Sequence, residues 1–183
     1  SRMLDDPALN YRANQMHQMV RRLIQEVQIQ RTLADNDFAN YPVCIDSLHS
    51  TAIVGEVVSD LQHHPVMVGK TIWLTSDSSD VRFHSDAALL RRILTNMLIN
   101  ALEATGPGGE VRLWVESDDR AVTFCVWNAQ PIPPNVVPRI FQRNFSTKTG
   151  KGRGLGTFMI KLFGETHLSG TVDFSSTEQD GTV

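Results

Sequence analysis

Asn96-Met97-Leu98-Ile99-Asn100-Ala101 lies in a run, residues 86–105, whose apolar positions recur at helical spacing. Leu89, Leu90, Ile93, Leu94, Met97, Leu98 and Ala101 supply a buried face, and Asp86 is a good N-cap for the helix. Asn96, Asn100 and Glu103 stand at i, i+4 and i+7 on the other face. Asparagine is a mediocre helix former, so two on one face of an apolar helix call for a reason. A solvated face, or carboxamides tied to backbone, is one. The other is a hard cation: magnesium takes oxygen ligands in octahedral geometry, one or two from protein and the rest from phosphates and water.

About fifty residues later comes Gly152-Arg153-Gly154-Leu155-Gly156, which leads into a helix expected over about 157–166. Closely spaced glycines let backbone N–H groups approach phosphate oxygens, and a helix N-terminus adds partial positive charge. Lys148, Lys151 and Arg153 put cations nearby. Other nucleotide loops do not fit. Phe145 stands where a Walker A motif needs its first glycine, and Gly152 stands where it needs Ser or Thr. The GxGxxG pattern fails at Thr157 and Leu155. A magnesium nucleotide is the ligand that suits helix and loop together.

Working outward, residues 8–34 form an amphipathic helix with Met16, Met19, Val20, Leu23, Ile24 and Val27 in one stripe, which needs a partner. A linker follows at about 35–47. A second helix is expected over 50–63, with Ile53, Val54, Val57, Val58 and Leu61 sharing a stripe, then short strands at 71–74 and 81–83. Gly106-Pro107-Gly108-Gly109 ends the asparagine-bearing helix. Residues 110–117 and 121–127 alternate about a turn at Asp118-Asp119-Arg120, a hairpin pattern. The stretch 128–156 is irregular, rich in Pro, Gly, Asn and Ser, and too long to be a mere connection. A strand over 170–175 and another after Asp180 close the chain. Mixed helices and strands predict an α+β fold, helices on one face of one sheet.

With 41% apolar and 20% charged residues the chain has the make-up of a soluble globular domain, and a net charge of -3 gives no reason to expect nucleic acid as a partner. No apolar run approaches the roughly 20 residues that span a bilayer. A cytoplasmic location is expected, free or as the cytoplasmic part of a membrane-bound sensor. Cys44 and Cys125 show no CxxC spacing and are expected to be reduced, partly buried thiols. The six histidines form no metal motif, and His63-His64 would point to opposite faces of a strand.

The order of these segments resembles the ATP-binding domain of sensor histidine kinases, in the superfamily that includes gyrase, the ninety-kilodalton heat-shock chaperone and mismatch-repair ATPases. Residues 86–105 resemble its asparagine box. Ile140-Phe141-Gln142-Arg143-Asn144-Phe145-Ser146-Thr147-Lys148 resembles the Phe box and the start of the ATP lid. Gly152–Gly156 resembles the glycine box, and Gly181-Thr182 the closing Gly-Thr element. The resemblance covers about residues 50–183. It implies a Bergerat-type two-layer α/β sandwich, a mixed sheet covered on one face by helices. It also implies two domains: a helical segment over 1–40, the second helix of a dimerisation hairpin, and an ATP-binding kinase domain over 41–183.

The resemblance also implies roles. Asn100 would coordinate Mg2+, and Asn96 would sit beside the phosphates or their water as the candidate catalytic residue. Phe141 and Phe145 would anchor the lid. Lys148 and Arg153 would reach phosphate, which Gly152, Gly154, Leu155 and Gly156 would cradle. Thr182 would help hold the adenine edge. The family's adenine-reading Asp-x-Gly-x-Gly is here Asn128-Ala129-Gln130-Pro131-Ile132. Asn128 can still accept a hydrogen bond from the adenine amino group, but it loses charge assistance worth roughly 1 kcal/mol, so Asn128→Asp is expected to tighten binding. On that resemblance Gln130 would narrow the pocket, and Ile132 and Pro133 would form an apolar wall. Glu103 replaces a residue that is basic or neutral in many relatives.

A phosphate-accepting His-(Glu/Asp)-x-x-x-Pro motif does not occur in the chain, so the acceptor histidine would lie outside this fragment. The expected activity is a protein-histidine kinase of a two-component system. It would present Mg-ATP to a histidine-bearing helix of the same or a partner protomer, act as a homodimer when full-length, and pass phosphate on to a response regulator receiver domain. The altered adenine segment leaves a degenerate nucleotide sensor or scaffold module as the alternative. A gyrase-type ATPase needs a general base where Asn96 stands, and a carboxamide cannot abstract a proton.

Overall fold

Alternating exposure along two long strands sets the architecture. The computed structural model describes residues 12, 16, 17, 19, 20, 23, 24, 27, 31, 41–75, 80–146 and 154–183. The chain divides into two compact units, Ser1–Val43 and Cys44–Val183. In the first, the described residues from Arg12 to Arg31 are helical, and Met16, Met19, Val20, Leu23, Ile24 and Val27 are all exposed.

The second unit runs β1 (Asp46–His49), α1 (Ser50–Leu61), β2 (Thr71–Leu74), β3 (Arg82–Ser85), α2 (Ala87–Ala104), β4 (Glu110–Ser117), β5 (Val122–Asn128), α3 (Gly156–Lys161), β6 (Ser176–Thr177) and β7 (Gly181–Thr182). Five strands form one sheet in the order β2-β4-β5-β7-β6. The β2–β4 pair is parallel and the other pairs are antiparallel, so the sheet is mixed. On β4 and β5, Val111, Leu113, Val115 and Val126 face inward and are buried. They meet Ile53, Val54, Val57 and Leu61 of α1 and Leu90, Leu94, Leu98, Ala101 and Leu102 of α2 in a single core. Leu94 and Leu98 are fully buried, and burial of each such side chain stabilises the fold by about 1.5–3 kcal/mol. Helices therefore cover one face, as an α+β sandwich requires. The other face carries Arg112, whose guanidinium lies 4.5 Å from the Trp127 ring.

Several expectations need correction. Residues 46 and 47 are not linker: β1 starts at Asp46 and pairs antiparallel with β3, which consequently lies outside the main sheet. No strand spans 170–175. Residues 171–176 alternate exposed and half-buried, but only the Ser175–Val183 backbone pair ties this run to the chain end before β6 begins. The helix expected over 157–166 is α3 followed by a π-helical turn, Leu162–His167, which buries Phe163 completely. His63 and His64 lie in a turn, where His64 Nδ1 accepts the Val66 N–H at 3.2 Å. Cys44 is exposed, and Cys125 alone is partly buried. Burial, and then the nearby Glu116 charge, push the Cys125 thiol pKa up.

Candidate functional site: a carboxamide face, a glycine turn and a closing Gly-Thr strand

The asparagine-bearing helix starts at a fully buried carboxylate. Asp86 Oδ1 accepts the N–H groups of Ala88 at 2.9 Å and Leu89 at 3.0 Å, and Oδ2 accepts the Cys44 N–H at 2.8 Å. Three N–H donors satisfy a charge that burial would otherwise penalise. The same carboxylate ties the chain entering the unit to the start of α2. At the other end, Lys70 Nζ donates to the Leu102 carbonyl at 2.6 Å, a cation where the helix dipole is negative.

With both ends fixed and the Leu/Ile stripe buried, Asn96 and Asn100 stay half-buried on the opposite side. They converge on the first residue of α3. A Cβ built on Gly156 would lie 3.7 Å from Asn100 Nδ2, 3.8 Å from Asn100 Oδ1 and 3.8 Å from Asn96 Oδ1. Two carboxamides and the start of a helix thus share one small volume. Carboxamide oxygens are hard donors and helical N–H groups favour anions, so this donor set fits a magnesium polyphosphate. Glu103 is exposed, one turn further along.

The root of the glycine turn is locked to the Phe-rich segment. Gly154 has φ +93°, and a Cβ there would come within 2.7 Å of the Asn144 carbonyl carbon and 2.9 Å of Phe145 N. Asn144, itself at φ 59°, donates its N–H to the Gly154 carbonyl at 2.9 Å. Asparagine tolerates that left-handed conformation better than most residues. The Thr157 hydroxyl donates to the Ile140 carbonyl. Phe145 lies beneath the Arg139 guanidinium, 4.1 Å from the ring centre. Phe141 packs edge-on against Phe174 at 5.8 Å and beneath Lys161 Nζ at 4.9 Å. Phe141 therefore joins the segment before residues 147–153 to the one after them, while Phe145 packs within its own segment.

A second cluster forms where β5 meets β7. Asn128, 5% exposed, is the Cα partner of Thr182. Gly181 has φ +77°, and a Cβ there would meet the Asn128 carbonyl oxygen and lie 2.9 Å from Ala129 Cα, so only glycine allows this approach. The Gln130 backbone carbonyl accepts from Asn128 Nδ2 at 3.1 Å and from the Thr182 hydroxyl at 2.8 Å. The Gln130 side chain is exposed and takes no part in this cluster. Ile132 donates its N–H to Ser176 Oγ at 2.7 Å, and Ser176 Oγ lies 2.8 Å from Thr182 Oγ1.

Asn96, Asn100 and Gly156 thus come together, as do Asn128, Gln130, Ile132 and Thr182. Phe141, Phe145, Gly154 and Leu155 lie in the described segments that flank residues 147–153. Lys148, Gly152 and Arg153 fall outside the described residues. Sequence reasoning missed the backbone role of Asn144 and the hydroxyls of Thr157 and Ser176, whose partners lie at no fixed spacing. Among the described residues, two grooves lie elsewhere. One of about 210 Å³ is lined by His49, Ile53 and Arg91, and one of about 370 Å³ by Arg112, Trp114 and Trp127. No described helix is long and apolar enough to cross a membrane.

Residues 85–183 match the family described as histidine kinase-, DNA gyrase B- and HSP90-like ATPase. Among curated proteins, the heme sensor protein HssS of Staphylococcus aureus is 27% identical over 130 residues, covering 69% of this chain and 28% of that protein. The chain therefore spans just over a quarter of that relative's length. Among solved structures, the catalytic domain of histidine kinase ThkA superposes with a TM-score of 0.63 at 25% identity, covering 76% of this chain and 92% of that one. ThkA in complex with the response regulator protein TrrA gives a TM-score of 0.63 at 24% identity, over 99% of this chain and 51% of that one. The carboxamide helix, the glycine turn and the Gly-Thr strand occur together over the matched residues, and the chain belongs to the histidine kinase-, DNA gyrase B- and HSP90-like ATPase family.

Proposed function

We propose that this chain is the ATP-binding catalytic domain of a two-component sensor histidine kinase. One observation carries the reading: the Asn96 and Asn100 carboxamides converge on Gly156 at the start of the helix that follows the glycine turn. Bound Mg2+ would neutralise charge on the triphosphate, which is most of what phosphoryl transfer asks of a protein besides positioning. Asn100 Oδ1 would supply a metal ligand, and Asn96 would orient the phosphates or a water among them. The N–H groups of Gly154, Leu155 and Gly156 would cradle phosphate, with Gly152, Lys148 and Arg153 closing over it. Phe141 and Phe145 would hold the lid's two roots. Asn128 Oδ1, Ile132 and Thr182 would bind adenine, beside the Gln130 backbone. Glu103, one turn further along the same helix, would lie at the margin of the nucleotide site.

The phosphate acceptor would be a histidine on a helix outside this chain, consistent with a chain that spans only 28% of its HssS relative. Residues 1–40 would be the second helix of a dimerisation hairpin in a homodimer, and 41–183 the kinase domain. The exposed stripe Met16 to Val27 supports that part of the reading. The fold shared with the ThkA–TrrA complex supports a response regulator as the downstream partner, and a cytoplasmic location follows from that role.

Transfer of a radiolabelled γ-phosphate from Mg-ATP tests the reading, using a longer polypeptide that carries the upstream histidine helix. The expected product is an acid-labile phosphohistidine that disappears with Asn100→Ala. Binding without transfer would favour the sensor or scaffold alternative, which the Asp-to-Asn departure at residue 128 motivates. Steady release of inorganic phosphate would instead indicate a gyrase-type ATPase, for which Asn96 supplies no general base.

A further inference from the structure

The hydrogen bonds around Gln130 have only one possible direction. A backbone carbonyl has no proton, so both of its neighbours must donate to it. Asn128 therefore presents Nδ2 to the Gln130 oxygen, 3.1 Å away, because the reversed carboxamide would set two oxygens against each other. Thr182 must present its hydroxyl proton to the same oxygen, 2.8 Å away. Having spent that proton, Thr182 Oγ1 can only accept from Ser176, 2.8 Å away. Ser176 in turn accepts the Ile132 N–H at 2.7 Å. Every proton in the chain Ile132, Ser176, Thr182, Gln130, Asn128 is thereby assigned, and Asn128 Oδ1 is left as the carboxamide's acceptor.

We propose that Ser176 and the Gln130 carbonyl are positioning groups that hold Asn128 as a neutral, one-way acceptor selecting 6-aminopurine over 6-oxopurine nucleotides, so that a carboxylate at 128 is disfavoured. The inference rests on the nucleotide-binding reading above and reverses one expectation drawn from sequence. The motif comparison makes the aspartate version look stronger by charge assistance. In this pocket an aspartate has no proton for the Gln130 oxygen, so one carboxylate oxygen would face a carbonyl oxygen in a nearly buried place. That repulsion outweighs the gain at the base, because unmet acceptors are costly when water is excluded. Asparagine at 128 and the non-glycine turn after it form a matched set.

Ser176 acts at one remove. It ties down the Ile132 backbone and is the only described donor to Thr182 Oγ1. Without it the Thr182 hydroxyl can turn to solvent and the Gln130 carbonyl is held by one donor instead of two. The carboxamide then becomes free to reverse and offer Nδ2 to a 6-oxo group.

Titration of Mg-ATP and Mg-ITP into the parent chain, Asn128→Asp, Ser176→Ala and Ser176→Thr tests this, with thermal melts to verify folding. The parent is expected to bind ATP about tenfold more tightly than ITP, the discrimination of roughly one well-made hydrogen bond. Asn128→Asp should weaken ATP binding by about tenfold. Ser176→Ala should narrow the ATP-to-ITP ratio to within about threefold, and Ser176→Thr, which keeps the hydroxyl, should preserve it. General loosening of the fold would lower both affinities together and leave the ratio alone. Equal or tighter ATP binding by Asn128→Asp, or an unchanged ratio in Ser176→Ala, overturns the inference while leaving nucleotide binding intact. Failure of the parent to bind ATP overturns the nucleotide reading and this inference with it.

Discussion

Single polar residues hold this site in shape. Asp86 is the clearest: a fully buried carboxylate takes three backbone N–H groups and fixes where α2 begins. Asp86→Ala removes a helix cap and strands buried donors, so urea unfolding should show a loss of about 2–3 kcal/mol. Asp86→Asn keeps an acceptor for the cap and should cost less. The Asp86 cap and the Asn96–Asn100–Glu103 face were legible because each obeys a local rule of spacing or capping, and the Gly-Thr pair was legible only through the family resemblance. Ser176 was not. Its partners Ile132 and Thr182 lie 44 and six residues away in sequence, and a lone serine in a short strand carries no spacing signal. The role of Gln130 was also hidden, because its backbone and not its side chain makes the contacts.

Elements were legible where burial and propensity agree. The 18-residue α2 and the β4–β5 hairpin follow from their apolar patterns, and the hairpin's turn from its aspartate. Asp118 Oδ1 accepts the N–H groups of Arg120 at 2.7 Å and Ala121 at 2.8 Å, which hold its pKa below the ordinary carboxylate value. Asp80 is likewise held low by the Thr51 hydroxyl, and then by His49 and the Thr51 N–H, at the start of α1. A carboxylate whose folded pKa is depressed stabilises the fold above its unfolded pKa, and that stabilisation is lost as pH falls through the folded value. Unfolding measured from pH 6 downward should therefore show stability declining below about pH 4, with a shallower decline in Asp118→Asn and Asp80→Asn. Identical slopes in all three proteins would contradict these assignments. The strand expected at 170–175 failed for a different reason. Its alternation is real, but a strand exists only through its ladder. Phe174 packs on Phe141 instead, and a Cβ on Gly164 would lie 2.5 Å from Val172 Cγ2. The π-helical turn at 162–167 was equally hidden, since the same apolar spacing suits an ordinary α-helix.

At the scale of the whole molecule, the sheet and its two covering helices form the platform for the proposed chemistry. One helix delivers two carboxamides, the α3 start delivers N–H groups, and the β5–β7 junction delivers an acceptor for a base. Asn100 and Gly156 lie 56 residues apart in sequence and Asn128 and Thr182 lie 54 apart, and the fold brings each pair together. Sequence order was sufficient to anticipate one sheet with helices on one face, because the strand and helix patterns each need that cover, whereas its mixed character was implied only by the family resemblance. It could not anticipate that β1 and β3 would form a separate two-stranded sheet, since both are four-residue strands with little apolar content.

The most direct measurement is a calorimetric titration of Mg-ATP into the chain and into Asn100→Ala, each repeated with a chelator in place of magnesium. The account predicts saturable one-site binding by the parent that needs the metal, and a loss of affinity of about tenfold or more in Asn100→Ala as a metal ligand disappears. Equal affinities for the two proteins, or binding indifferent to magnesium, would contradict the placing of a magnesium nucleotide between α2 and the glycine turn.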